Sequence, residues 1–260
     1  MPETDTPLTK DLTQMRAFLG TLVDQCHQRV WEGQDDYLSG YAYLRSRGVT
    51  DAQIDLFKIG VGPSEKVWPP YDIKDGVNST KFREQFKGTL EGQLVFPVYN
   101  TRGTLRGIET RRWYDTKYRK YTQYFLSDWK LDAVFLGLPQ ALPSIWESET
   151  VYLVEGMFDF FVVQRVFPNT LCTLTARVSW EQQRFLKRWC RNIVFLFDSD
   201  QKGREAAQKA RERYNTDDSE LLAHQIMVPA KDPSEYYKQA GFERFARYLR
   251  QQSRSLNLYL

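Results

Sequence analysis

Apolar residues at Leu12, Met15, Leu19, Leu22, Cys26 and Val30 recur at steps of three and four, which predicts a helix from Leu8 to about Trp31. A second helix is expected over 37–47, stopped by Gly48. Thr50, with Gln53 three residues on, reads as a capping box that opens a third helix through Phe57. The period then changes. Residues 63–76 are rich in turn formers, among them Pro69-Pro70 and Asp75-Gly76. Residues 94–98 and 105–113 read as paired strands around a turn at Asn100-Thr101-Arg102-Gly103, with a further strand over 118–125. From Val151 onward, short apolar runs alternate with helical spacing. Strands are expected up to Glu155 and over 170–174, 193–197 and 223–228, and helices over 158–166, 179–189, 203–214 and 243–252. Such alternation predicts a mostly parallel sheet flanked by helices, so the chain is read as α/β with an α+β N-terminal part. A division is expected near Leu142-Pro143. It gives a helical and β-containing part over 1–142, a parallel-sheet part over 143–235 and a short helical tail over 236–260.

Two of the apolar runs end in acids. Val151-Tyr152-Leu153-Val154 leads into Glu155-Gly156, and Ile193-Val194-Phe195-Leu196-Phe197 into Asp198-Ser199-Asp200. Ligands of open parallel sheets bind beyond the carboxyl ends of the strands, so acids placed there face a site rather than the core. Clustered carboxylates suit a hard divalent cation whose shell is completed by substrate phosphates. The competing use of a strand-end acid is to cap the next helix. Two acid sites joined by a strand–helix alternation favour the metal.

Charge adds a second surface. The net formal charge of +3 is too mild to demand a nucleic-acid partner. Over 102–120, however, Arg102, Arg106, Arg111, Arg112, Lys117, Arg119 and Lys120 face only Glu109 and Asp115, with Trp113, Tyr114, Tyr118, Tyr121 and Tyr124 nearby. Cations for phosphates and aromatic faces for unstacked bases are what a single-strand groove needs. A solvated strand surface with inward aromatics is the other reading. Cys26, Cys172 and Cys190 are odd in number and widely spaced, so neither a disulfide framework nor a CxxC zinc site is expected. Cys26-His27 reads as packing. No signal peptide or long apolar stretch is evident, which predicts a soluble, cytoplasmic protein with no membrane partner.

Glu155-Gly156-Met157-Phe158-Asp159 followed by Phe197-Asp198-Ser199-Asp200-Gln201-Lys202-Gly203 resembles the Toprim signature of bacterial-type DNA primases, type IA and type II topoisomerases and some nucleases. Upstream, the segment from Tyr43 to Thr50, then Ile54, Phe57, Ile59-Gly60 and Gly62-Pro63, is similar to the helical entry of the primase polymerase domain. Residues 94–98 with Gly103, Gly107 and Arg111 resemble its basic subdomain, and Lys120-Tyr121 the lysine segment that follows. The likeness runs from about Tyr37 to Ala240. It implies a Toprim-type catalytic part preceded by a basic nucleic-acid-binding part.

The activity implied is RNA primer synthesis on single-stranded DNA from ribonucleoside triphosphates, with Mg²⁺ or Mn²⁺ and no zinc. It makes Glu155, Asp198 and Asp200 the catalytic metal ligands, with Asp159 and Asp232 as further acids. Arg83, Arg111 and Lys120 become nucleotide or DNA contacts, and Arg112, from the basic stretch, and Lys202, a cation at a helix start, are read as further ones beside the resemblance. Asp232 reads equally well as a turn residue before Pro233. The pattern departs in three places. Ser234 stands where the family has another acid, with Glu235 beside it; Leu174-Thr175-Ala176-Arg177 replaces a Gly-Thr step; Lys202 replaces a small residue. The zinc module that usually precedes this domain is expected to be absent, so a replicative helicase or a separate zinc-bearing protein is an expected partner. A Toprim nuclease or topoisomerase-like enzyme, or a non-catalytic single-strand-binding module, are the alternatives.

Overall fold

The computed structural model describes residues 7–67, 89–114, 119–126, 133–174, 178–196 and 221–258, together with Gln208 and Glu212. The chain divides into two compact units. The first holds residues 1–46, 50–99 and 103–131; the second holds 47–49, 100–102 and 132–260.

In the first unit, helix α1 (Pro7–Glu32) lies on an antiparallel sheet of order β1-β2-β3-β4: β1 (Gly60–Val61), β2 (Gln93–Tyr99), β3 (Leu105–Arg112) and β4 (Tyr121–Phe125). Strand side chains alternate between faces. One face presents Val95, Ile108 and Tyr124 to Met15, Leu19, Leu22, Val23 and Cys26 of α1, and these residues form one core. Gly60 permits the approach, because a Cβ there would strike the backbone of Cys26. Cys26 packs as a thiol whose pKa burial pushes up to about 12, and His27 Nδ1 hydrogen-bonds Ile59 O at 2.9 Å, so this pair packs as expected. Helix α2 (Gly40–Ser46) ends ahead of Gly48, which takes φ 83°. Helix α3 (Asp51–Leu56) carries both hydrogen bonds of the Thr50–Gln53 capping box.

The second unit is a parallel sheet of order β6-β5-β7-β8: β5 (Thr150–Val154), β6 (Thr170–Cys172), β7 (Asn192–Phe195) and β8 (Leu222–Gln225). Helices α4 (Leu138–Ser148), α5 (Met157–Gln164), α6 (Trp180–Trp189), α7 (Pro233–Ala240) and α8 (Phe242–Ser255) belong to it. Val151, Leu153, Leu171, Ile193 and Phe195 from the strands, with Leu138, Leu142, Ile145, Phe185 and Leu186 from α4 and α6, make its core.

Two sequence expectations change. The division expected at Leu142-Pro143 falls inside α4, and the units part near residue 131 instead. A proline within a helix costs about 3 kcal/mol. Burying Leu138, Leu142 and Ile145 returns about 1.5–3 kcal/mol each, so packing outweighs the missing hydrogen bond. The tail expected over 236–260 is part of the second unit, because Phe245, Ala246, Leu249 and Ser253 of α8 are buried there. The helix expected over 203–214 lies outside the described residues apart from Gln208 and Glu212, which are helical. Among the described residues, no helix is long and apolar enough to cross a membrane.

Candidate metal and nucleic-acid sites

Glu155 emerges from β5, which sits between β6 and β7 with all five of its residues buried. The strand end is held on both sides. Thr173 N donates to Val154 O at 3.0 Å, Leu196 N to Leu153 O at 2.9 Å, and Cys172 Sγ to Glu155 O at 3.2 Å. The Glu155 side chain is half-buried, at the carboxyl edge where parallel sheets bind ligands. Gly156 then caps α5 without a side-chain hydrogen bond.

Asp159 lies in the first turn of α5 and is 8% exposed. Its Oδ1 accepts from Ser234 N at 2.8 Å, and its Oδ2 lies where a Cβ on Gly156 would stand. This carboxylate therefore joins the start of α7 to the Glu155-Gly156 turn, close to two helix N-termini that favour negative charge. Asp232 is the N-cap of α7, and its Oδ1 accepts from Glu235 N at 2.7 Å. Ser234, where the family has an acid, is buried and its Oγ accepts from Arg47 Nη2 at 3.2 Å. Arg47 also lies over the Phe158 ring, 4.7 Å from its centroid. That arginine is not among the residues expected at the site; only its place in the Tyr43–Thr50 segment points to it.

Glu155, Asp159 and Asp232 offer only carboxylate oxygens, which suit a hard divalent cation. Asp159 and Asp232 each hold a backbone N–H, of Ser234 and Glu235 respectively. Among the described residues no group of three or more His, Cys, Asp or Glu could hold a metal ion. Asp198 and Asp200, the other expected ligands, lie outside the described residues, as do Arg83, Lys117, Arg177 and Lys202. Leu174, opening the segment that replaces the Gly-Thr step, takes a left-handed φ of 63°. That conformation costs a side chain roughly 1–2 kcal/mol and is free to glycine.

The first unit carries the basic surface. Arg111 is 4% exposed, with its guanidinium 5.5 Å from the Tyr43 ring centroid and 5.2 Å from that of Tyr121. Arg112 is half-buried and donates to Glu91 O and Tyr114 Oη, both at 3.4 Å. Arg119, Lys120 and Tyr121 are exposed at the start of β4, and Tyr114, also exposed, lies against Gly92 ahead of β2. Glu109, on the same face of β3 as Arg111, is 4% exposed. Gln123 Nε2 donates to Glu109 Oε2 at 3.0 Å, yet burial raises this carboxyl to a pKa of about 7.

Residues 152–237 match the family model described as Toprim-like, which covers the second unit from β5 to α7. The comparisons then narrow the class. A DNA primase of Lactococcus lactis is 26% identical over 224 residues, covering 77% of this chain and 33% of that protein. The chain thus spans about a third of the length of this curated relative. The crystal structure of the Aquifex aeolicus primase zinc-binding and RNA polymerase domains aligns with a TM-score of 0.73 at 20% identity, over 96% of this chain and 62% of that one. The DnaG primase catalytic domain bound to single-stranded DNA aligns at 0.71 and 22% identity, over 93% and 82%. The fold is that of the DnaG-type primase catalytic core.

Proposed function

We propose that this chain is the catalytic core of a DNA primase, joining ribonucleotides on a single-stranded DNA template. The carrying observation is the likeness of 93% of the chain to a primase catalytic domain, at a TM-score of 0.71. In the reaction, a ribonucleotide 3′-oxygen forms a bond to the α-phosphorus of the incoming triphosphate. The α–β phosphoanhydride bond breaks and pyrophosphate leaves. Glu155, Asp198 and Asp200 would hold Mg²⁺ or Mn²⁺, with Asp159 and Asp232 as further acids. When bound, such an ion lowers the pKa of the attacking hydroxyl and offsets charge on the phosphate.

The remaining groups bind and orient. Arg112, Arg119 and Lys120 supply cations for template phosphates, and Tyr114 and Tyr121 supply exposed rings for unpaired bases. Arg111, with its guanidinium against the Tyr43 and Tyr121 rings, is the group that positions phosphate in this reading. Arg83 and Lys202 complete the triphosphate contacts in this reading. Ribonucleoside triphosphates are the substrates in this reading, and a replicative helicase is a partner.

The test is a gel assay with single-stranded template, labelled ribonucleotides and Mn²⁺. The expected result is short RNA products that disappear in Glu155→Gln. Metal-dependent plasmid nicking without polymer would replace the proposal by the nuclease reading. Single-strand binding without either product would leave only the binding module.

A further inference from the structure

Helix α8 carries a feature to which the proposed function assigns no role. Its buried face is Phe245, Ala246, Leu249 and Ser253. Its outer face carries Arg244, Arg247, Arg250 and Arg254, all exposed, with Glu243 and Gln251 between them. Arg247, Arg250 and Arg254, with Glu243 and Gln251, line one shallow groove. At 3.6 residues per turn the four arginines fall within about 120° of arc, and at 1.5 Å per residue they extend along about 15 Å. Among the described residues none of the four is in an ion pair, whereas Arg29, Arg45 and Arg191 each pair with an acid. The helix turns a row of uncompensated guanidinium groups to solvent.

What such a row fits follows from its contrast with the basic surface of the first unit. There, exposed Tyr114 and Tyr121 stand among the cations. On α8 the aromatic side chains are withdrawn. Phe245 is buried, Tyr248 is half-buried with its hydroxyl donating to Met227 O at 2.6 Å, and Phe242 lies under Arg165. Nothing on the outer face stacks an unpaired base, so the row suits phosphates whose bases are already paired. A strand of duplex places one phosphate per 3.4 Å of axis, so about 15 Å spans about four of them. Four arginines match that length, and the guanidinium fork binds phosphate in two-point fashion.

We propose that the outer face of α8 is a second nucleic-acid site, which binds the sugar–phosphate backbone of a duplex without reading its sequence. It rests on the primase reading only for the reason a duplex would be present: primer synthesis converts a single strand into one. Phosphate contacts of this kind fix position and carry no sequence information.

The experiment measures binding of a short mixed-sequence duplex and of oligothymidine by fluorescence anisotropy across a salt series. It uses the full chain and the triple variant Arg247→Gln, Arg250→Gln, Arg254→Gln. Each phosphate contact contributes about 0.9 to the slope of log K against log salt on duplex. The variant should flatten that slope by roughly 2 to 3 and weaken duplex binding at least ~10-fold at low salt, leaving oligothymidine affinity within about twofold. The matching triple Arg→Lys variant should keep most of the slope, which separates charge from helix folding. An unchanged duplex slope in the Gln variant overturns the proposal and leaves α8 as a solvated face. An equal loss on oligothymidine overturns it too, as does DNA binding that is untouched while an acidic protein partner is lost. Absence of primer synthesis with the slope change intact would sink the primase reading and not this one.

Discussion

Strands β3 and β5 are buried to similar depth and built from opposite materials. All five residues of β5 are buried, and Thr150, its one polar side chain apart from the Tyr152 hydroxyl, stands at the strand's start. In β3, Arg106, Glu109, Thr110 and Arg111 are buried within the strand itself. The parallel strand keeps its chemistry outside the core, in Glu155 one residue past its end. The antiparallel strand carries its chemistry inside, where each charge loses water and has to be held by a neighbour. Gln123 does this for Glu109, and Tyr43 and Tyr121 for Arg111. Substitutions at the end of β5 should therefore change activity and spare stability, whereas substitutions within β3 should change stability directly.

Glu155→Gln gives the largest expected effect. Losing one anionic ligand removes several kcal/mol of charge stabilisation, so primer synthesis should fall by at least ~10³-fold. Urea unfolding should move by less than about 0.5 kcal/mol. A large stability change would break the contrast, because Glu155 would then be holding the strand end.

Glu109→Gln comes next, with a defined pH signature. The buried carboxyl titrates near 7 in the folded chain, against an ordinary value of 4.5. The folded state therefore holds its proton longer than the unfolded state, and stability is lost as pH rises from about 4.5 to about 7. The cost is fully present above that window and reaches on the order of 3 kcal/mol. Glu109→Gln should gain up to that amount over the parent at pH 8, and the two should converge near pH 4, in urea titrations at several pH values. Parallel curves would mean that the carboxyl is solvated and that β3 does not bury charge at a cost.

Arg111→Lys keeps the charge and loses the planar guanidinium that lies against two tyrosine rings. A loss of about 1–2 kcal/mol is expected by the same unfolding measurement. A neutral result would say that the rings do not hold the guanidinium. The smallest effect belongs to the second unit. Ser179→Ala removes the side chain that accepts from Gln182 N at 3.2 Å and should cost about 1 kcal/mol, seen as faster amide exchange over the first turn of α6.

Both capping boxes have the same signature, yet only Thr50-x-x-Gln53 is among the expectations. Ser179-x-x-Gln182 is equally plain in the sequence, and Asp232-Pro233-Ser234-Glu235 carries an N-cap, a first-turn proline and a first-turn acid together. Reading Asp232 as a metal ligand or a turn residue passes over the helix, α7, that it caps. Helix α4 is hidden by Pro143, although Leu138, Leu142 and Ile145 keep helical spacing. The parallel strands are legible because a strand covered on both faces must be apolar throughout. The burial of Arg106, Glu109 and Arg111 is not. A polar strand reads as a solvated surface, and only the neighbours that cover it decide otherwise. Of the candidate site, Glu155 is legible as the acid that ends a buried strand. The hydrogen bond between Asp159 and Ser234 joins positions 75 residues apart, which no local pattern encodes.

Tyr152 sits in the middle of β5, stacked on Phe167 with 3.9 Å between ring centroids, and its hydroxyl shares a buried hydrogen bond with Ser253 Oγ of α8. The partners are 101 residues apart along the chain. While the chain is being made, the strand that presents Glu155 therefore waits with an unpaired hydroxyl until α8 has left the ribosome. Among the described residues, the antiparallel sheet of the first unit draws on no strand later than β4. The basic surface can be in place while the acidic end of β5 is still open, so under the proposed function a nascent chain would grip nucleic acid before it could process any.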